Sequence, residues 1–207
     1  AFKYAAEPFF FKQSADKNSP MLYAKVMHAF ILFCTVLMIA ISVNLEWMGP
    51  LFLRQPGYEE GLFIVPTLLM GYLLLGIYFN LSIWFKITDQ TKYSFWITLV
   101  GAILTIGIIF VFVPIWGYMG GALCYLVMCL LCYFYGQKHY PIPYQTAKGV
   151  FYLLISFAVS YLGFYLNLGV PALNFLAKNS LILLYIGLIF LLEKEQIMSF
   201  LPKNKKP

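Results

Sequence analysis

The chain has 207 residues, a net charge of +6, and a composition that is 62% hydrophobic, 19% aromatic and only 11% charged, with a mean hydropathy of +0.80. Water-soluble domains carry roughly 25% charged residues, so most of this surface does not face water. Apolar runs of about 18 residues or more identify a polytopic membrane protein with about six spans and no room beside them for a soluble domain.

The chain begins "AFKYAAEPFFFK". This stretch lacks the basic start, single apolar core and small-residue cleavage site of a signal peptide, so the chain is expected to be a segment of a longer one. Residues 1–22 read as an interfacial segment on the cytoplasmic side. Membrane helices are predicted over Ala24–Asn44, Leu62–Trp84, Tyr93–Phe112, Ile115–Gly136, Ala147–Leu166 and Leu173–Leu192. Residues 194–207 form a basic tail. Gly49, Pro50, Pro56, Gly57, Pro141, Pro143, Gly169 and Pro171 punctuate the linkers, as turn and helix-end residues do.

Within the second predicted helix, "GLFIVPTLLMGYLLLGIYF" carries Pro66, Gly71 and Gly76. Pro removes a backbone donor, so a kink is expected there, with the glycines permitting bending or close approach. From Tyr93 to Gln137 the chain runs 45 residues without an ionisable Asp, Glu, Lys, Arg or His. That is too long for one crossing, and "VFVPIWGYMGGALCYL" in its middle reads as a two-helix corner. Pro114 is expected to end one helix, and Gly117 to allow the reversal. Gly117 with Gly121 forms a small-residue pair for close helix packing.

Charge tests this count. With six spans, one side receives twelve basic and five acidic residues, the other Arg54 and Lys178 with Glu46, Glu59 and Glu60. Such a bias places both ends of the segment in the cytoplasm. Merging the 45-residue run into one span would put Lys138 and Lys148 opposite Lys86 and Lys92 and erase most of the bias. Anionic headgroups are sufficient partners for the positive side, and no nucleic acid is implied. Trp47 and Trp116 are expected near the outer interface and Trp84 near the inner one.

The predicted hydrocarbon region holds no Asp or Glu. His28 and His139 have no carboxylate at helical spacing, and Cys129–Cys132 ("CLLC") read as small buried thiols. No nucleophile–base pair, metal constellation or cofactor loop is apparent, so the chain reads as a non-enzyme without cofactor or metal. Asn44, Asn167 and Asn174 suit helix ends. Asn80, in "GIYFNLSIWFK", is either a cavity-lining group or an interhelical hydrogen-bonding group.

The succession "FKYAAEPFFFK", "YAKVM", "GIYFNLSIWFKITDQTKY", "VPIWGYMGGAL" and "YGQKHYPIPY" resembles the C-terminal half of bacterial polysaccharide biosynthesis proteins. These are the O-antigen-type (Wzx-type) flippases of the multidrug/oligosaccharidyl-lipid/polysaccharide exporter superfamily. The resemblance implies an all-α bundle in which residues 23–145 form part of a MATE-like C-terminal lobe and residues 146–193 add two further helices. It implies a missing N-terminal lobe in the same chain, and alternating-access movement of an undecaprenyl-pyrophosphate-linked oligosaccharide across the cytoplasmic membrane. Lys3, Lys25 and Lys86 at the cytoplasmic mouth, with Asn80, are the candidate substrate-path residues. A drug or cation antiporter of the same fold and a non-transporting scaffold for polysaccharide assembly are the alternatives.

Overall fold

The computed structural model describes residues 2–14, 16, 18–52, 59–116 and 120–194, all helix, turn or connecting segment with no strand among them. The helices are α1 (Phe2–Gln13), α2 (Ser19–Val43), α3 (Leu45–Phe52), α4 (Val65–Leu81), α5 (Ile83–Ile87), α6 (Thr91–Trp116), α7 (Gly120–His139), α8 (Thr146–Tyr165) and α9 (Pro171–Leu192). A 3-10 turn, Glu59–Ile64, leads into α4. In lipid each backbone polar group must find its partner within the chain, and continuous helices do this.

Five helical stretches are long and apolar enough to cross a membrane: Ser19–Val43, Gly61–Ile87, Thr91–Val111, Thr146–Tyr165 and Pro171–Leu192. The remaining long helix, α7, has 20 residues, or about 30 Å at 1.5 Å per residue, and packs along α4 and α6. Their outer surface is apolar: Phe110 is 77% exposed and Leu191 81%. That surface suits lipid and would be an aggregation hazard in water.

Contacts fix the directions. Tyr93 meets His139 while Gly101 meets Met128, so α6 and α7 are antiparallel. Leu74 meets Cys129 and Trp84 meets Gly136, so α4 and α7 run the same way. Ile31 meets Gly149 and Val43 meets Gly163, so α2 and α8 are parallel. Phe63 and Thr67 meet Tyr161 at the end of α8, and Asn44 meets Asn179 while His28 meets Glu193. Hence α2, α6 and α8 run one way, and α4, α7 and α9 the other. This is the alternation that six crossings require. One end of the bundle gathers α1, α5, the connections 88–90 and 140–145, and Glu193; it carries Lys25, Lys86, Lys92, Lys138 and Lys148. This is the lysine-rich end of the bundle.

α2 is the central post, touching α4, α8 and α9. Close approach needs small residues where helices cross: a Cβ on Gly76 would lie 2.3 Å from the Phe30 ring, and one on Gly163 2.4 Å from Val43 Cγ1. α1 caps the lysine-rich end, with Phe10 packed edge-on against Tyr23 at 5.1 Å and the Tyr23 hydroxyl donating to the Phe10 carbonyl.

Several expected boundaries move. α2 begins at Ser19 rather than Ala24, with Pro20 in its first turn. Pro66 does not kink a helix interior. It lies in the first turn of α4, where a missing N–H breaks no intrahelical bond. Nor does Pro114 end its helix, because α6 continues through it to Trp116. Proline's fixed φ is helical, and this one forgoes a hydrogen bond only in the final turn. α7 starts at Gly120 rather than Ile115, so Ile115 belongs to α6, and α7 runs on past the expected end at Gly136 to His139. Trp84 is 1% exposed, a core residue and not part of an interfacial belt, whereas Trp47 is 56% exposed. Gly117 lies outside the described residues, as do the surroundings of Gly121 and the side chain of Trp116.

Candidate functional site

In the half of the bundle nearer the lysine-rich end, α2, α4, α7 and α8 leave a cavity of about 210 Å3 between them. Ile31, Leu74, Ile77, Leu126, Leu130 and Leu153 make its walls, and His28, Tyr144, Gln145 and Thr146 bring polar atoms to the end nearest the lysines. The Tyr144 hydroxyl is buried without a hydrogen-bond partner among the described residues. Gly149, at the edge of this space, keeps α8 close to α2: a Cβ there would meet Ile31 Cδ1 at 3.2 Å. Cys129 lines the cavity and donates its thiol to the Leu74 carbonyl at 3.1 Å. Cys129 and Cys132 are both buried and free.

Behind His28 lies a buried charged cluster that the sequence reading does not contain. Glu193, the residue that follows α9, is 2% exposed. Its Oε1 accepts hydrogen bonds from Lys148 Nζ at 3.0 Å and the Tyr152 hydroxyl at 2.9 Å, and His28 Nε2 faces it at 3.3 Å. Burial pushes the Glu193 carboxyl up. The Lys148 and Tyr152 hydrogen bonds and the charges of His28 and Lys148 outweigh this and hold it below its ordinary value of 4.5. The five membrane-length stretches hold no Asp or Glu, as expected; what the sequence did not show is the burial of the acid just past the last of them. Glu193 sits at the predicted boundary by sequence, but the turn after Leu192 folds it inward beneath α2 and α8. His28 is accordingly not a lone histidine. Glu193 is far from it in sequence, so no local spacing could have exposed the pair.

A second buried charge stands at the opposite end. Lys178, on α9, is 4% exposed and pairs with Glu46 of α3. Beside it Asn44, the C-cap of α2, donates Nδ2 to the Ala40 carbonyl at 2.9 Å and meets Asn179 at 3.4 Å. Asn174 donates to Asn167 Oδ1 at 3.0 Å, and that same oxygen accepts the Gly169 N–H at 3.0 Å, tying the turn between α8 and α9. Gly169 has φ +77°, a left-handed conformation that glycine adopts without strain.

His139 is held differently. Its Nδ1 donates to the Tyr135 carbonyl at 2.9 Å, its Nε2 accepts from the Tyr93 hydroxyl at 2.8 Å, and its ring stacks on Trp84 with centroids 5.6 Å apart. Both nitrogens are used by neighbouring groups, and the ring closes the α6–α7 edge.

Of the sequence candidates, Lys25 is exposed on α2, one turn before His28. Lys86 is half-buried on α5. Lys3 lies on α1, with its side chain outside the described residues. Asn80 is 3% exposed and neither lines the cavity nor bridges helices: its Nδ2 bonds the Gly76 carbonyl of its own helix at 3.0 Å. Gly71 is buried within α4. Among the described residues no group of three or more His, Cys, Asp or Glu side chains could hold a metal ion. No family model, curated protein or solved structure matches the chain.

Proposed function

We propose that this chain is part of a transporter that moves a lipid-linked oligosaccharide, of the undecaprenyl-pyrophosphate type, between the leaflets of a bacterial cytoplasmic membrane by alternating access. The observation that carries the reading is the cavity. Its walls are hydrocarbon, its one polar end faces the lysine-rich rim, and at about 210 Å3 it is smaller than the ~300–1,000 Å3 of drug-sized pockets. Such a space takes a segment of an isoprenoid chain and leaves an anionic headgroup at the rim, near Lys25 and Lys148. The twelve-to-two distribution of basic residues orients that rim, and both ends of this segment, toward the cytoplasm. A second lobe, supplied by the same chain upstream, completes the path in this reading, and no bond is made or broken.

A drug or cation antiporter is the second reading. One observation favours it, the buried Glu193 carboxylate, since coupling groups within a bundle are ionisable. The test is a strain lacking the full-length gene, complemented by wild type or by Leu130→Trp, which fills the cavity. Lipid-linked repeat units should accumulate on the cytoplasmic leaflet in the deletion strain and with the Trp variant. A normal leaflet distribution in the deletion strain refutes the proposal.

A further inference from the structure

α9 is weakly enclosed. Leu183, Leu184 and Leu191 on it are exposed, and its buried residues are Asn174, Lys178, Tyr185 and Ile189. Apolar side chains gain little by leaving lipid for a helix interface, so polar contacts weigh heavily in seating this helix. At the lysine-rich end those contacts converge on a single atom, Glu193 Oε1. Lys148 and Tyr152 already donate to it, and His28 Nε2 lies 3.3 Å away, with the His28 and Glu193 side chains 8% and 1% exposed. A bare imidazole nitrogen facing a carboxylate oxygen is repulsive. A hydrogen on that nitrogen, present in one neutral tautomer and always in the imidazolium, makes the contact a charge-assisted hydrogen bond, and the imidazolium adds to it the attraction of a full positive charge.

We propose that His28 and Glu193 form a proton-binding site in which a proton carried on His28 Nε2 is donated to Glu193 Oε1, tying α2 to the end of α9. The groups facing the site are Lys148 and Tyr152 from α8, Glu193 from the end of α9, and Tyr133 and Tyr144 across the cavity wall. Lys25 is the nearest cation on the same helix in sequence, and Lys194 follows Glu193. Before uptake, Lys148 and Glu193 balance. Uptake makes the cluster singly positive, with the carboxylate shared between two cations. The Tyr185 hydroxyl, which donates to the Tyr152 carbonyl at 3.4 Å, connects the middle of α9 to the same region of α8.

The chain contains two histidines, His28 and His139, so labelling histidine Cε1 with carbon-13 gives two NMR signals, and His139→Gln assigns them. The 207-residue chain is placed in phosphatidylcholine nanodiscs and titrated. His28 should take up one proton in the course of that titration. Glu193→Gln should lower its proton affinity roughly tenfold or more, as loss of an adjacent opposite charge does, and Lys148→Gln should raise it. The Lys148 side chain is 46% exposed, so that second variant probes the same pair without hollowing the bundle. A His28 signal that does not titrate, or an affinity that neither variant changes, overturns the proposal. Neither readout involves transport, so a failure of the lipid-flipping reading leaves this one standing.

Discussion

Gly163 offers a direct measure of how tightly α8 is seated. An added Cβ would lie 2.4 Å from Val43 Cγ1, 3.2 Å from Val43 Cβ and 3.4 Å from Leu181 Cδ1. Carbon atoms prefer about 3.5–4.0 Å, so the nearest contact is short by about 1 Å. Val43 is 1% exposed and β-branched, with one strongly preferred helical rotamer, so the clash is relieved only by parting α8 from α2. Overpacking of this kind costs about 1–3 kcal/mol, against which alanine's helix preference over glycine returns about 1 kcal/mol. Gly163→Ala is therefore expected to be destabilising by roughly 0–2 kcal/mol. Gly107, on the outer face of α6, is the control: a Cβ there meets nothing within 4 Å, so Gly107→Ala should be neutral or slightly stabilising. Thermal unfolding of both variants in one detergent or nanodisc preparation separates the effects. If Gly163→Ala unfolds at or above the temperature of Gly107→Ala, the close-packing argument for α2 and α8 is wrong.

Two further expectations concern the buried charges. Glu193 is held below its ordinary value of 4.5, so its contribution to stability is complete above about that pH and is lost as pH falls through the depressed value. Wild-type melting temperature should drop on acidification below about pH 4.5, and Glu193→Gln should start lower at neutral pH and show less of that acid loss; parallel pH profiles would contradict this. At the other end the pair is asymmetric, with the Lys178 side chain 5% exposed and that of Glu46 57%. Glu46→Gln strands a buried ammonium, whereas Lys178→Met leaves a carboxylate that water can hydrate. Glu46→Gln should therefore unfold at the lower temperature of the two, and the reverse order would show that Lys178 has another partner.

The long apolar helices were legible in the sequence because length and hydropathy set them and lysine counting set their parity, which the parallel and antiparallel contacts reproduce. The two prolines were misplaced for a shared reason. Whether Pro66 breaks a helix depends on where the first α-turn starts, and the 3-10 turn before it is invisible to periodicity. Pro114 falls where only one late hydrogen bond is lost. Asn80 found a carbonyl on its own helix, an option always open to a short amide side chain. The charged cluster was hidden more deeply. His28, Lys148, Tyr152 and Glu193 come from three helices, and only the packing of α8 and α9 beside α2 brings them together. Lys178, read as an outer-side charge, gave no sign that Glu46 would cover it.

The two ion pairs also stand in a fixed relation along the membrane normal. Lys178 and Glu193 are 15 positions apart on one helix and the turn that ends it, which is about 22 Å at 1.5 Å per residue. A bilayer's hydrocarbon layer is about 30 Å thick. Both pairs therefore cannot reach the headgroups of an undeformed bilayer through backbone position alone, and any tilt of α9 brings them closer together along the normal. The lipid beside α9 must thin, or water and side-chain reach must make up the difference. Along the α9 flank the two charged pairs thus sit closer together than the hydrocarbon thickness, and thinning, water or side-chain reach closes that gap.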